Sequence, residues 1–358
     1  MAIASLRGEP AAARTPHDIS GAELLAWRRS MLALKGGGRG SAAGLDWLLD
    51  LAGGLGWPAL QALWLHPHRR IQLQCSLQEL EDLWRRHRLD AAPLQYLVGR
   101  CPWRDLELSV APGVLIPRQE TEQLLELALN LVPDPPAGSP LCWADLGTGS
   151  GCLAIGLARA LRASVGLAVE ASSEALRQAA ANVKALLPPG SQLESPLPPP
   201  SNAAGADRES AARAEPQGLM VPGVRLRQGS WWQPIEPWWG RLQLVVSNPP
   251  YIPTDVWAAL EPVVRDHEPA LALDGGADGL AAIRCITAGA PAALAPGGVL
   301  LLEHHHDQSE AVQALLAAAG LHDCRAHRDL EGVLRFASGR RPCIGDSATP
   351  LGAGGLTP

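Results

Sequence analysis

The chain predicts a doubly wound α/β domain built on a mostly parallel sheet, preceded by a small helical domain. Three observations carry that expectation. Apolar runs at Val165–Val169, Val221–Leu226 and Leu242–Val246, with an earlier one beginning at Leu141, are separated by helical or polar segments, the pattern of βαβ units. A glycine-rich turn joins the first run to the helical run Leu153–Leu161. Ahead of these, leucines and tryptophans fall at helical spacing. A length of 358 residues accommodates both parts.

The front region reads as helices over Gly21–Leu34 and Ala43–Leu55, with a third opened by the capping box Ser76-Leu-Gln-Glu79 and running to about His87. Their aromatics follow a 3.6-residue period, so they are core residues. Leu106-Glu-Leu108-Ser-Val110 alternates, reaches Pro112-Gly113 and is followed by Val114–Ile116, which reads as a hairpin. Pro117-Arg118 then starts a helix whose early turn holds Glu120, Thr121 and Glu122. The resulting division is a helical domain over 1–103, a hairpin linker over 104–116, the α/β domain over 117–341 and a flexible tail over 342–358. Within the α/β domain, 187–218 is rich in Pro, Ser, Ala and Gly, too poor in apolar surface to offset its chain entropy. It reads as a disordered insertion without a catalytic role.

Net charge is −6, which argues against non-specific nucleic-acid binding. Residues 1–105 carry 13 Lys/Arg against 10 Asp/Glu, leaving 17 against 26 for the remainder. The mildly basic front is compatible with docking an acidic protein, and equally with a solvated helix face. Seven cysteines without metal-ligand spacing, and no leader or membrane-length apolar run, point to reduced thiols in the cytoplasm. His304-His-His306-Asp307 invites a metal reading, but consecutive histidines on a loop are expected to splay apart, and no metal is assigned.

Two motifs carry chemistry. In Gly147-Thr148-Gly149-Ser150-Gly151, three alternating glycines let the backbone approach a ligand, and the helix N-terminus behind them supplies free N–H groups. Glu170 closes the next strand, and a carboxylate about 20 residues beyond such glycines suits a ribose diol. NAD and S-adenosylmethionine both present that ribose. Asn248-Pro249-Pro250-Tyr251 separates them. A planar –NH2 is a poor nucleophile, and two acceptors aimed at its N–H bonds hold it and favour pyramidal nitrogen. The Asn248 side-chain oxygen and the Pro249 carbonyl supply the two acceptors, and Tyr251 offers a face to a flat group. Hydride transfer has no use for such a clamp; a methyl donor does. The bland alternative is a strand ending in a proline-rich turn. Counting strands from Leu141, the glycine turn follows the first and Asn248 the fourth, neighbours if the strand order reverses after the first.

These motifs resemble the HemK-type (PrmC) glutamine N5-methyltransferases, which act on peptide chain release factors. The resemblance runs from about Leu24 to Arg341 through Pro93–Gly99, Leu115–Glu122, the glycine turn, Gln228–Trp231, Asn248–Tyr251, Glu268–Leu271, Gly275–Gly279 and Leu301–Glu303. It implies a Rossmann-like S-adenosylmethionine-dependent domain with a seven-stranded sheet, and a helical domain that recognises substrate. It also implies methyl transfer to the glutamine of the release factor's Gly-Gly-Gln motif; the expected partner is that protein alone, with no direct nucleic acid and no membrane, and the chain is expected to be a monomer. Gly147, Thr148, Gly149, Ser150, Gly151, Glu170, Trp231 and Asn248 would line the donor, and Asn248, Pro249, Pro250 and Tyr251 the substrate. Trp231 also suits an adenine cover, its flat ring following a strand, though a core tryptophan would look the same. Glu170 stands where the family has Asp, and His305 where it has glycine. The rival readings are a nucleic-acid amino-methyltransferase, since the clamp also fits adenine N6 or guanine N2, and a non-catalytic module that retains the fold.

Overall fold

The computed structural model describes residues 16–34, 41–134, 140–161, 164–188, 220–221 and 223–343. Most of the expected insertion, from 189 to 218, and the tail from 344 lie outside the described residues. Contacts divide the chain into two compact units, Met1–Pro117 with Asp255–Ala272, and Arg118–Thr254 with Leu273–Pro358.

The first unit holds β1 (His17–Ser20), α1 (Gly21–Leu32), α2 (Ala42–Leu51), α3 (Trp57–Leu65), β2 (Arg70–Leu73), α4 (Leu77–Leu89), α5 (Leu94–Val98), β3 (Arg100–Trp103) and β4 (Leu106–Ser109). Ser20 and Ser76 close capping boxes with Glu23 and Glu79, so α1 and α4 start where serine chemistry dictates. Both expected front helices end earlier than periodicity alone suggests, and α3 with the β1–β2 ribbon is additional. The core gathers Leu24, Leu45, Leu48, Leu60, Leu80 and Trp84, whose indole donates to the Met31 carbonyl at 3.0 Å.

The hairpin is real but pairs differently. Leu106–Ser109 is hydrogen-bonded to Arg100–Trp103, not to Val114–Ile116. Gly99, left-handed at φ +76°, ends α5 and turns the chain into β3, while Arg104 at φ +54° makes the tight turn. Val114 and Ile116 are apolar because they are buried in a loop, where the Val114 carbonyl accepts the Tyr96 hydroxyl at 2.6 Å and the Glu268 carboxylate accepts the Ile116 N–H at 3.0 Å. That contact also explains why 255–272, inside the span assigned to the α/β domain, clusters with the first unit.

The second unit is the doubly wound domain. It runs α6 (Thr121–Leu131), β5 (Leu141–Leu146), α7 (Cys152–Ala160), β6 (Ser164–Glu170), α8 (Ser173–Leu186), β7 (Met220–Val221), β8 (Val224–Gln228), β9 (Leu242–Ser247), α9 (Ala281–Ala293), β10 (Leu294–Glu303), α10 (Ser309–Ala318), β11 (His322–Arg328) and β12 (Leu334–Arg340). The helix expected from Pro117 begins at Thr121. Sheet order is β11-β12-β10-β9-β5-β6-β8-β7. The pairs from β10 through β8 are parallel; β12 inserts antiparallel beside β10. An eighth strand joins the seven expected because the run Val221–Leu226 splits at Gly223 (φ +73°) into the antiparallel pair β7–β8. At the centre Trp143 is fully buried across Gly166, where a Cβ would fall 2.2 Å from the indole, and its N–H donates to Ser164 at 2.8 Å. That close approach is why a glycine sits mid-strand.

Strand order reverses at β5, which lies between β6 and β9. Asp145 is registered opposite Val246, so Gly147 and Asn248 each lie two residues beyond a hydrogen-bonded neighbour pair. Strands lie about 4.8 Å apart. The Ser247 hydroxyl ties the two strand ends by donating to the Leu146 carbonyl at 2.6 Å. The crevice expected from the sequence is therefore present, at the carboxyl edge of the sheet.

Candidate active site

On the β5 side the site is backbone. Gly147, Gly149 and Gly151 all adopt left-handed φ, at +77°, +56° and +86°. The Gly147 and Thr148 N–H groups both donate to the Val169 carbonyl at 2.9 Å, which pins the turn to β6. Gly151 caps α7. A Cβ on Gly149 would meet nothing within 4 Å, so glycine is needed there for its backbone angle and leaves space above the turn. A Cβ on Gly147 would lie 3.6 Å from the Trp231 ring. Trp231 is itself left-handed at φ +47°, a conformation a bulky residue holds only at a cost of about 1–3 kcal/mol. The ring is partly buried, packed against the core on one side and close to the glycine turn on the other.

Thr148 and Ser150 are buried and serve the turn's frame. The Thr148 hydroxyl donates to Asp145 Oδ2 at 2.6 Å, and the Ser150 carbonyl accepts the Asn182 amide at 2.9 Å. Asp145, which sequence reasoning passed over, is fully buried. Burial pushes its carboxyl up to about 7, against the Thr148 hydrogen bond, with the Glu170 charge pushing the same way. Its Oδ1 is buried with no hydrogen-bond partner, the Ala154 amide being only a weak favourable neighbour. Glu170, at the end of β6, accepts the Gly149 N–H at 2.9 Å on one oxygen and the Ser172 N–H at 2.8 Å on the other. Each oxygen keeps a second lone pair, so the carboxylate can brace the turn and still accept from a diol.

On the β9 side the site is side chains with distant partners. Asn248 Nδ2 donates to Thr121 Oγ1 at 2.9 Å, leaving Oδ1 as its other polar atom. Thr121 Oγ1 donates to Glu303 Oε2 at 2.8 Å, and the Tyr251 hydroxyl donates to Glu303 Oε1 at 3.0 Å. Glu303 is 1% exposed, and burial raises its carboxyl to about 7 despite both hydroxyls. Burial first, then the Glu303 charge, also pushes the Tyr251 phenol well above its ordinary value.

Pro249 is buried and Pro250 half-buried. Behind them the Gly275–Gly279 loop packs backbone on backbone: a Cβ on Gly275 would fall 2.8 Å from the Pro250 carbonyl, and one on Gly279 2.2 Å from that of Tyr251. Gln308 donates to the Tyr251 carbonyl at 3.0 Å and to that of Asp278 at 3.1 Å, locking loop and clamp together. Gln308 also accepts the His305 N–H at 2.9 Å, and His305 has no left-handed φ, so a side chain is tolerated where the family has glycine. Against the expectation of splayed rings, His305 and His306 lie close, with ring centroids 4.2 Å apart and planes tilted by 53°, and their ligand atoms and those of Asp307 lie within 4.8 Å of one another. His305 Nδ1 is hydrogen-bonded to Asp307 at 2.7 Å, while His304 is buried away from the group.

No family model matches the chain. Curated relatives do. A release factor glutamine methyltransferase of Prochlorococcus marinus is 45% identical over 324 residues, 90% of this chain and 98% of the relative. One of Thermosynechococcus vestitus is 43% identical over 274 residues, 76% of this chain and 82% of the relative. A solved structure of a release factor-specific protein-(glutamine-N5) methyltransferase from Alicyclobacillus acidocaldarius is 26% identical and covers 66% of this chain and 99% of that one, with a TM-score of 0.34. At that score the family assignment rests on the sequence matches.

Proposed function

The chain belongs to the release factor glutamine methyltransferases, and we propose that it uses the crevice between β5 and β9 to methylate the side-chain nitrogen (N5) of the glutamine in a release factor's Gly-Gly-Gln motif. The observation that carries this reading is the adjacency of the glycine turn and an Asn248 whose amide nitrogen is already engaged. The residues fit S-adenosylmethionine. Asp145 offers a buried, unpartnered carboxylate oxygen, and Gly149 leaves open space above the turn. Gly147–Gly151, Glu170, Trp231 and Asn248 would hold it. When bound, it supplies an electrophilic methyl on a positively charged sulfur, which leaves as a neutral thioether.

The protein's part is alignment and charge. Asn248 Oδ1 and the Pro249 carbonyl accept the two N–H bonds of the glutamine amide, turning its nitrogen lone pair toward the donor. Both acceptors bind nitrogen more tightly as it becomes positive, so they favour the transition state over the ground state. Tyr251 walls the amide plane, its hydroxyl fixed by Glu303. Once methylated, the nitrogen is acidic enough to lose its proton to water, so no general base is required.

Recognition of the rest of the release factor is assigned to the first unit. Its α3 leaves Trp57, Trp64 and Leu65 at 58%, 50% and 78% exposure, with Trp57 and Trp64 two turns apart. Exposed tryptophans are characteristic anchors of protein interfaces. The enzyme acts as a monomer in the cytoplasm, without metal or nucleic acid; among the described residues no helix is long and apolar enough to cross a membrane.

The test is incubation with methyl-labelled S-adenosylmethionine and, separately, release factor, RNA or DNA. Label should enter the release factor and vanish when its Gly-Gly-Gln glutamine is replaced. Label in nucleic acid alone would favour the amino-methyltransferase alternative, and none anywhere would favour the non-catalytic module.

A further inference from the structure

We propose that Thr121 and Glu303 are positioning residues that set which end of the Asn248 carboxamide faces the substrate. This deepens the clamp reading above and rests on it. A carboxamide is nearly symmetric in shape, so rotating it by half a turn costs little packing, yet it replaces an acceptor with a donor. A flipped Asn248 would aim N–H bonds at the –NH2 of glutamine, and the clamp would repel what it should hold. Something must forbid the flip.

Thr121 alone cannot. Its hydroxyl, 2.9 Å from the Asn248 nitrogen, could accept from Nδ2 or donate to a flipped Oδ1 equally well. Glu303 removes that freedom. As a carboxylate it has no proton to give, and it accepts the Thr121 hydrogen at 2.8 Å. Thr121 Oγ1 is then left only lone pairs on the side of Asn248, so only Nδ2 can face it. The other Glu303 oxygen takes the Tyr251 hydroxyl at 3.0 Å, so one buried carboxylate orients both the acceptor and the aromatic wall. The fold makes the trio reliable. Glu303 ends β10, the strand paired with β9 through Leu302 and Ser247, and Thr121 is the first residue of α6.

The device depends on charge. With a proton on Glu303, one of the hydroxyls must turn and the order of donors is lost. Around Glu303, Thr121 and Tyr251 hold the charged form by hydrogen bonds and Arg335 by its charge, while burial and Glu120 oppose it, leaving the group near 7. Arg118 and Arg335 also act on Tyr251. Turnover should therefore fall as pH drops through about 7. Asp145 lies in the same range, so kcat is measured at saturating S-adenosylmethionine, where donor affinity no longer enters.

The experiment compares Thr121→Val, Thr121→Ser, Glu303→Gln and Asn248→Ala for kcat, KM and pH profile on a release factor, with calorimetric donor affinity and thermal melts as controls. Thr121→Val should lower kcat roughly 10–100-fold, the scale of one lost hydrogen bond, with donor affinity unchanged. Thr121→Ser should restore most of it, and Thr121→Val should add nothing to Asn248→Ala. Glu303→Gln, which keeps the shape and relieves a buried charge, should lower kcat and flatten the limb below pH 7. An inactive Asn248→Ala beside a Thr121→Val at wild-type kcat would overturn the inference and leave the clamp standing. So would equal losses in the Val and Ser variants, or a Glu303→Gln profile that keeps its acid limb. Should Thr121→Val not fold, the Glu303→Gln profile decides alone. Wild-type turnover in Asn248→Ala would instead sink the clamp itself.

Discussion

The two halves of the active site are built by opposite means. The donor turn at the end of β5 is local: three left-handed glycines, a helix N-terminus and a carboxylate bound back onto the turn across 21 residues of sequence. The clamp at the end of β9 is assembled at long range, Asn248 reaching Thr121 over 127 positions and Thr121 reaching Glu303 over 182. Backbone can open close-approach space for a ligand with nothing but the right φ angles. Side-chain acceptors need other side chains to tell them which way to face. The turn should therefore tolerate changes in its neighbours and fail only at its own residues, whereas the clamp should be sensitive to residues that never touch substrate.

The largest effect expected is at the clamp's own acceptor. Asn248→Ala should cost on the order of 10²–10³ in single-turnover rate while donor binding persists. A near-wild-type rate would remove Asn248 from the chemistry. Next comes the loop behind it. Gly279→Ala drives a Cβ to 2.2 Å from the Tyr251 carbonyl, in a residue already at φ +71°, and both atoms belong to backbone that cannot step aside. Overpacking of that kind costs about 1–3 kcal/mol. Turnover on release factor should drop with little change in donor affinity; an unaffected kcat would show that the loop does not hold the clamp.

On the donor side, Glu170→Ala should weaken S-adenosylmethionine binding by roughly 1.5–3 kcal/mol, the scale of a hydrogen bond to a charged group. Because Glu170 also accepts the Gly149 and Ser172 N–H groups, the melting temperature should fall with it. Unchanged affinity with a lowered melting temperature would make Glu170 a brace for the turn and nothing more.

The same contrast explains what the sequence made legible. The glycine turn, Glu170 and the capping boxes could be read because their chemistry lies within a few residues or one βαβ unit. Asn248–Tyr251 could be read as a motif, and its meeting with the turn followed from strand order. What held Asn248 could not be read. The resemblance places Thr121 near the cleft and Glu303 in a motif at a strand end, but the hydrogen bonds that tie them to Asn248 exist only in the fold. The misplaced hairpin has a related cause. Val114 and Ile116 alternate as a strand does, but the left-handed turn at Arg104 closes the hairpin earlier, and burial alone accounts for their pattern. Alternation reports burial; hydrogen-bond partners decide whether it is a strand. Gln308 and Asp145 were missed because nothing local marks a glutamine that ties two loops, or an aspartate buried without a partner.

Asp145 offers the finest distinction between the two sides, because its cost appears in stability. Its carboxyl stands near 7 in the folded protein against an ordinary 3.8, with burial the main cause. Between those values the folded chain keeps a proton that the unfolded chain gives up. Folding stability therefore falls as pH rises from about 4 to about 7, and stays flat above. Asp145→Asn cannot ionise, so its advantage over the wild type should grow across that window and then level off. The full shift sets a ceiling of about 4 kcal/mol, three pKa units at 1.36 kcal/mol each. Asn still buries a polar group facing the same unpartnered position, which costs about 1–3 kcal/mol, so the net gain should be about 1–3 kcal/mol at most. Thermal melts at pH 5 and pH 8 read it directly: the variant should gain on the wild type at pH 8 relative to pH 5. A pH-independent difference in melting temperature would mean that Asp145 is charged throughout, held by contacts stronger than the Thr148 hydrogen bond.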